Sequence, residues 1–480
     1  MDQRRHVLTP VVSSVSSPVR MSALLKLLSR MRANVCLMAA YRLLPAAVRK
    51  RLSATMSRTE ARSMEFRKSP RWHMQGAGDQ EGQSSISEAP GLSLGVNVYA
   101  FLRGRFGLAE SARRYTSALL ASGCRVWLCD IADGLGVPHD MKDKSLDGLI
   151  GRGDQHGINL VFVNPDYLER AMETHMCNAA NKSYTIGVWF WEGERFPLEW
   201  TSALDVVDEI MVASVHLENA IRRVTDKPVF RVPLPVDSLL ASDLKRKDFG
   251  IRESAFVFLS MFDFNSYLER KNPAGVIHAF RLAFATGESD VQLLLKSING
   301  HRFPDEMNTL REAAAGDPRI VIRDDIIENR HVHALQQCAD CFVSLHRAEG
   351  FGMALAECMW FGKPVIATGW SGNMDFMTPE NSCPVRFKLV EIQSGDYAHH
   401  QGQRWAEPDI HHAAGLMKRL ADDPRAARRI GNQASRDVRR LLSSNNAAAL
   451  IKNRLEEITM DRLQSLTDEP GRTSDVRLNS

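Results

Sequence analysis

Two doubly wound α/β domains facing a cleft, behind a basic N-terminal extension, are the architecture that this sequence predicts. Three observations carry that expectation. From residue 93 onward, short and almost uninterrupted apolar runs alternate with helix-like segments, as in parallel strands covered on both faces. The alternation lapses into a polar stretch near residue 240 and restarts at 256, which gives two sets of strands. A chain of 480 residues is also long enough for two full domains plus an extension.

In the first set, SLGVNVYAF (93–101) reads as a strand, and GLAESARRYTSALLASG (107–123) as a helix ending on a glycine. CRVWLCD (124–130), INLVFVN (158–164), SYTIGVWFW (183–191), EIMVAS (209–214) and VFRVPLPV (229–236) complete it. The second set opens with FVFLSMFDF (256–264) and the helix NPAGVIHAFRLAFA (272–285). It continues through VQLLLKS (291–297), RIVIRDD (319–325), CFVSL (341–345) and KPVIATGW (363–370), with helices between the later strands. Residues 405–458 read as mainly helical and 465–480 as a disordered end. The predicted domains are therefore 1–90 (basic extension and linker), 91–240, 241–430 and 431–480 (C-terminal helices and tail). In such sheets ligands bind beyond the C-terminal strand ends, in the loops leading to helices.

Composition narrows the function. Hydrophobic residues at 44% and charged residues at 25% are ordinary for a globular protein, and no apolar run reaches the length of a membrane span. The net charge of +4 hides an asymmetry: residues 1–90 hold 15 Lys/Arg and 6 Asp/Glu, or +9, and the rest hold 46 and 51, or −5. A basic front on a mildly acidic body predicts an anionic partner at the N-terminus and no nucleic-acid groove through the body. Leu24, Leu28, Met31, Val35 and Met38 form a helical stripe accompanied by Lys26, Arg30, Arg32 and Arg42. This predicts membrane-surface contact through residues 20–72, with packing on the body as the alternative; residues 73–90 read as a linker. Eight scattered cysteines, with no recognisable signal peptide ahead of them, suit a reduced cytoplasmic setting, peripheral to the inner face of the membrane.

The most informative stretch is HRAEGFGMALAECMWFGKPVIATGWSGNMDF (346–376). It places Glu349 on the loop after a strand, Gly350 and Gly352 where a backbone can approach a ligand, and Glu357 about one and a half turns into the next helix. The free N–H groups at that helix start suit an anion, and paired carboxylates suit the hydroxyls of a polyol. From spacing alone, an incidental pair of surface glutamates is the competing reading. RGRFGLAES (103–111) follows the first strand with Gly104 and Gly107, but lacks the full G-x-G-x-x-G of a dinucleotide site. Arg270 and Lys271, in FDFNSYLERKNP (262–273), put two cations near a helix start, where a diphosphate is favoured. Cys338 and Cys341 form one isolated C-x-x-C, which reads as buried thiols rather than a zinc site.

EGFGMALAE, followed by an apolar strand and the turn in GWSGNMDF, resembles the signature of the retaining glycosyltransferases of family 4, over roughly residues 93–440. The resemblance implies the GT-B fold, two Rossmann-like domains with a nucleotide sugar in their cleft. It implies that Glu349 contacts donor sugar hydroxyls near the reacting carbon and that Glu357 holds the ribose. Backbone amides of Gly350, Phe351 and Gly352 and of the Gly372–Asn373 turn would meet sugar and phosphate. Arg270 and Lys271 would neutralise the leaving diphosphate, with Lys296 in reserve, and Gly107 would lie beside the donor phosphates. A strand end that often carries a histidine in this superfamily here holds Trp191 and Glu192, so Glu192 is the acceptor-side candidate; His346 reads as a loop hydrogen-bonder. No Asp-x-Asp occurs in the chain, in keeping with a metal-independent enzyme that needs no cofactor beyond its nucleoside-diphosphate sugar. The expected partners are that donor and a saccharide or lipid-linked acceptor, as in polysaccharide or glycolipid assembly. GDP-mannose is the first candidate donor, with UDP-linked sugars next. An epimerase or phosphorylase on the same fold, and a non-catalytic partner subunit, are the alternatives.

Overall fold

The computed structural model describes residues 94–132, 145–176, 183–237, 239–285 and 290–467, together with Val48. The chain divides into two compact units, residues 1–64 and 65–480, and everything below belongs to the second. The basic stripe, the expected membrane-contact segment 20–72, the linker 73–90 and the tail beyond 467 lie outside the described residues.

The first apolar set folds into a six-stranded sheet of β1 (Gly95–Ala100), β2 (Arg125–Asp130), β3 (Ile158–Phe162), β4 (Tyr184–Val188), β5 (Glu209–Val212) and β6 (Val229–Arg231), in the order β2-β1-β3-β4-β5-β6. Every pairing is parallel. Val96, Val98, Leu160 and Ile186 point into one apolar cluster and Tyr99, Val161 and Ile210 into another, so the sheet is covered on both faces. One polar seam crosses it: Asn97 Nδ2 donates to Asn159 Oδ1 (2.8 Å) and Asn159 Nδ2 to Thr185 Oγ1 (3.2 Å), which satisfies buried amides that would otherwise be costly. Helices α1 (Gly107–Ala121), α2 (Pro165–His175) and α3 (Val215–Arg222) pack around it. Helix α1 buries Ala109, Ala112, Tyr115 and Leu119 at helical spacing, and Gly123 just beyond it takes φ 77°, the left-handed stop expected of glycine.

The second set forms another parallel sheet of β7 (Phe256–Asp263), β8 (Val291–Ile298), β9 (Ile320–Asp324), β10 (Cys341–Ser344), β11 (Val365–Thr368) and β12 (Cys383–Val385), in the order β12-β11-β10-β7-β8-β9. Around it lie α4 (Leu268–Lys271), α5 (Pro273–Ala283), α6 (Pro304–Ala314), α7 (Asn329–Cys338), α8 (Met353–Trp360), α9 (Ile410–Asp422) and α10 (Pro424–Leu441). Strand order reverses between β7 and β10, so the loops leaving those two strands diverge and open a crevice.

Three features depart from the sequence expectation. VFRVPLPV is a strand only over β6; Pro233 and Pro235 have no N–H to donate, although Val232, Leu234 and Val236 remain buried in extended chain. The helical reading from residue 405 begins too early: β13 (Phe387–Glu391) and β14 (Arg404–Pro408) form an antiparallel hairpin with Val390 opposite Trp405. The last helix, α11 (Ser444–Thr467), runs beyond the expected helical end at 458 and into the stretch read as disordered from 465. It buries Ile451, Leu455 and Ile458, donates from Lys452 Nζ to the Ser122 carbonyl behind α1, and pairs Arg454 with Glu209 of β5 at 2.8 Å.

Candidate active site

The crevice is built from the loops after β7 and β10. Chain continuity puts Arg270 and Lys271 in the single turn α4, between β7 and α5. Asn272 follows with φ 50°; its side chain caps α5 at Gly275 N and donates to the Leu345 carbonyl after β10 (2.9 Å). The Arg347 amide donates to the Arg270 carbonyl at 2.7 Å, so the two loops are stitched together by backbone and side chain.

That stitching brings Glu349 against both cations. Lys271 Nζ donates to Glu349 Oε1, and Arg270 Nη1 lies 3.4 Å from Oε2 while also donating to the Ala348 carbonyl (2.8 Å). On its other side Arg270 Nη2 lies 3.5 Å from Glu192 Oε1, on the loop after β4. Burial works against the Glu349 charge, but Lys271 and then Arg270 outweigh it and hold the carboxyl down at about 2. Burial likewise opposes the Arg270 charge, and Glu192 and Glu349 together raise its pKa. For Lys271 burial is the larger effect and lowers its pKa. Glu349 is thus a fixed anion at neutral pH: it can accept hydrogen bonds from hydroxyls but has no proton to give.

Two glycine turns close this end of the crevice. Gly352 has φ 97°, and a Cβ on Gly372 would lie 2.1 Å from the Gly350 carbonyl oxygen. The Gly372 amide donates to the Glu349 carbonyl at 2.9 Å. The Asn373 side chain is turned inward: Nδ2 donates to the Thr368 carbonyl (3.0 Å), and Oδ1 lies 3.1 Å from His346 Nε2. His346 is wholly buried, and burial pushes it down to about 4, so it is neutral and braces the turn. The Phe351 side chain is buried against Phe376, leaving only its backbone to the crevice. Gly350 passes its carbonyl to Ser214 Oγ (2.7 Å), a contact between the two sheets' loops.

Glu357 lies in α8 with 7% of its surface exposed. Arg114 Nη2 of α1 donates to Oε1 at 2.5 Å, and Gln336 Nε2 of α7 donates to Oε2 at 2.7 Å. A carboxylate offers about four acceptor positions, so about two remain for a diol. Arg114 itself is held by Glu110 (2.8 Å), whose carboxyl is depressed to about 2: burial opposes its charge, and Arg114 and Arg113 prevail. Gly107 is exposed at the first residue of α1. The preceding loop is held by Arg113, which donates to the Gly104 carbonyl at 2.8 Å.

The remaining candidates lie apart from this cluster. Lys296 pairs with Asp325 at 3.2 Å and donates to the Ser297 carbonyl, toward β9. Cys338 and Cys341 are free thiols, the latter buried in β10. Sequence reasoning missed Arg114, Gln336 and Tyr397, whose hydroxyl donates to Glu192 Oε2 at 2.5 Å. No local spacing flags them, because each meets its partner across 21 to 243 positions of chain.

Residues 256–390 match the family described as glycosyl transferases group 1. Among curated relatives, the trehalose synthase of Pyrococcus horikoshii is 26% identical over 155 residues, 31% of this chain and 32% of that protein. That of Rubrobacter xylanophilus is 26% identical over 174 residues, 35% of this chain and 36% of that one. The similarity thus spans about a third of those relatives' length. Among solved structures, the sucrose-phosphate synthase of Thermosynechococcus elongatus aligns over 77% of this chain and 100% of its own, with TM-score 0.57 and 14% identity. Anabaena HepE, solved with UDP and glucose, aligns over 76% and 100%, with TM-score 0.55 and 13% identity. At these identities the likeness is one of fold, the GT-B arrangement of two Rossmann-like sheets.

Proposed function

We propose that this chain, whose residues 256–390 match the glycosyl transferases of group 1, moves a hexosyl unit from a nucleoside-diphosphate sugar to a hydroxyl acceptor with retention of configuration. The observation that carries the reading is the meeting of Arg270 and Lys271 with Glu349 where the strand order reverses, beside the N-terminus of α8. Arg270, Lys271 and the amides opening α8 would stabilise the charge that develops on the departing diphosphate. Glu349, held as an anion, would accept hydrogen bonds from the donor sugar, and Glu357 would share its remaining acceptor positions with the ribose diol.

In the step itself, the bond from the anomeric carbon to the diphosphate oxygen breaks. The acceptor oxygen bonds to that carbon on the same face, and its proton passes to the departing phosphate. No protein base is required, which suits a site whose carboxylate is ion-paired and whose histidine is neutral. UDP-glucose and GDP-mannose are the donors to separate first; HepE, with its UDP and glucose, motivates the former. A saccharide or lipid-linked acceptor remains the expectation, with residues 20–72 as the membrane-facing segment.

The test is the rate of nucleoside diphosphate release and sugar transfer by wild type and Glu349→Gln. Glu349→Gln should lower kcat by about a hundredfold or more, the scale of losing one electrostatic contact to a transition state. Near wild-type turnover would refute the assignment. An NMR determination of the product's anomeric configuration tests retention separately.

A further inference from the structure

The hairpin of β13 and β14 has no place in the mechanism above, yet its loop enters the crevice. Tyr397, in that loop, is 7% exposed and packs between Trp191 (5.4 Å between ring centroids) and Tyr267 (4.8 Å). Trp191 belongs to the loop after β4 in the first sheet, and Tyr267 to the loop after β7 in the second. The Tyr397 hydroxyl donates to Glu192 Oε2 at 2.5 Å, and the Arg270 guanidinium lies 5.9 Å from the centre of the same ring. Burial, and then Glu192, push the hydroxyl well above its usual range, so it stays protonated and donates.

The β14 side of the hairpin is anchored to the loop after β4. Gln403 accepts from the Arg195 amide (3.0 Å) and donates to the Arg195 carbonyl (2.6 Å), and Arg404 pairs with Glu194 at 2.9 Å. At the base, Arg347 pairs with Glu407 of β14 at 2.6 Å and lies over the Trp405 ring, two residues from Glu349. An unbroken series of contacts therefore runs Tyr397, Glu192, Arg270, Glu349, and passes from one sheet to the other.

We propose that Tyr397 and Glu192 are positioning residues for Arg270: the hairpin sets the Tyr397 hydroxyl, the hydroxyl sets the Glu192 carboxylate, and the carboxylate sets the guanidinium beside Glu349. This rests on the reading of Arg270 as the group that meets the departing diphosphate. Charge balance supports it. Arg270 is 4% exposed and needs counter-charge to remain there, and Glu192 supplies it from the opposite side to Glu349. Without the tyrosine, Glu192 loses its orientation, because the Arg270 contact alone is long at 3.5 Å.

The test uses the full chain and measures nucleoside diphosphate release from UDP-glucose and GDP-mannose, with water or a supplied sugar as acceptor. Tyr397→Phe keeps the packed ring and should lower kcat about tenfold with the donor KM within about twofold, since a misplaced guanidinium costs most at the transition state. Glu192→Gln should do the same, and the double variant should be no slower than the slower single, as expected for one chain of contacts. Lys388→Ala, exposed on β13 of the same hairpin, should leave kcat unchanged. Tyr397→Phe at wild-type kcat, additive losses in the double variant, or an equal loss in Lys388→Ala would each overturn the proposal. A wild type that neither binds UDP or GDP nor releases them would instead defeat the functional reading, and this proposal with it.

Discussion

At the scale of single residues, the site depends on charges kept where water would not keep them. Glu349 is 8% exposed and ionised only because Lys271 and Arg270 face it. Its carboxyl sits at about 2 in the folded protein against an ordinary 4.5, so the unfolded chain binds its proton more tightly. The ionised carboxylate therefore stabilises the fold fully above pH 4.5, and that contribution drains away as the pH falls toward 2. Glu349→Gln resembles the protonated state. Urea unfolding at stepped pH should then find the variant clearly less stable than wild type at pH 7, with the gap closing as the pH falls below 4.5. A gap that stays constant down to pH 3 would mean that the ion pairs contribute nothing net. His346, held neutral by burial at about 4 against an ordinary 6.5, adds a step of its own: its contribution is full above pH 6.5 and is lost as the pH falls from there toward 4.

At the scale of elements, what was legible in the sequence follows what each element is buried against. The parallel strands could be read because both faces are apolar, so the signal lies within each run of four to eight residues. Glu349 and Glu357 could be read because a strand, a turn and a helix fix their spacing locally. The β13–β14 hairpin could not: Phe387–Glu391 is half exposed, and what orders it is Arg347 on Trp405 and Tyr397 on Glu192, contacts that no local pattern encodes. Helix α11 was legible as a helix but not as a partner of the first sheet, because its apolar positions do not say which helix they meet. Its burial makes it integral rather than terminal decoration. Leu455→Ala should cost about 2–5 kcal/mol of stability, the usual range for emptying a buried leucine site. Met460→Ala, on the same helix at 51% exposure, should stay within about 0.5 kcal/mol. Equal denaturation midpoints for the two variants would show that the packing of α11 contributes nothing to stability.

At the scale of the whole molecule, the two sheets are joined across the crevice by buried polar contacts as well as apolar ones. Glu192 reaches Arg270, Ser214 reaches the Gly350 carbonyl, and Arg114 reaches Glu357. The last is the strongest in geometry, with the two side chains 11% and 9% exposed and 2.5 Å apart. Removing one member of such a pair leaves the other charged and unpaired in a dry site, a loss of about 3–5 kcal/mol, whereas replacing both is far milder. Arg114→Met should thus lower the unfolding midpoint sharply, and adding Glu357→Gln should recover much of the loss because Gln336 can still hydrogen-bond the new amide. The coupling is read from a double-mutant cycle by denaturant unfolding, in which independent contributions would simply add. Additive losses would show that Arg114 and Glu357 act separately.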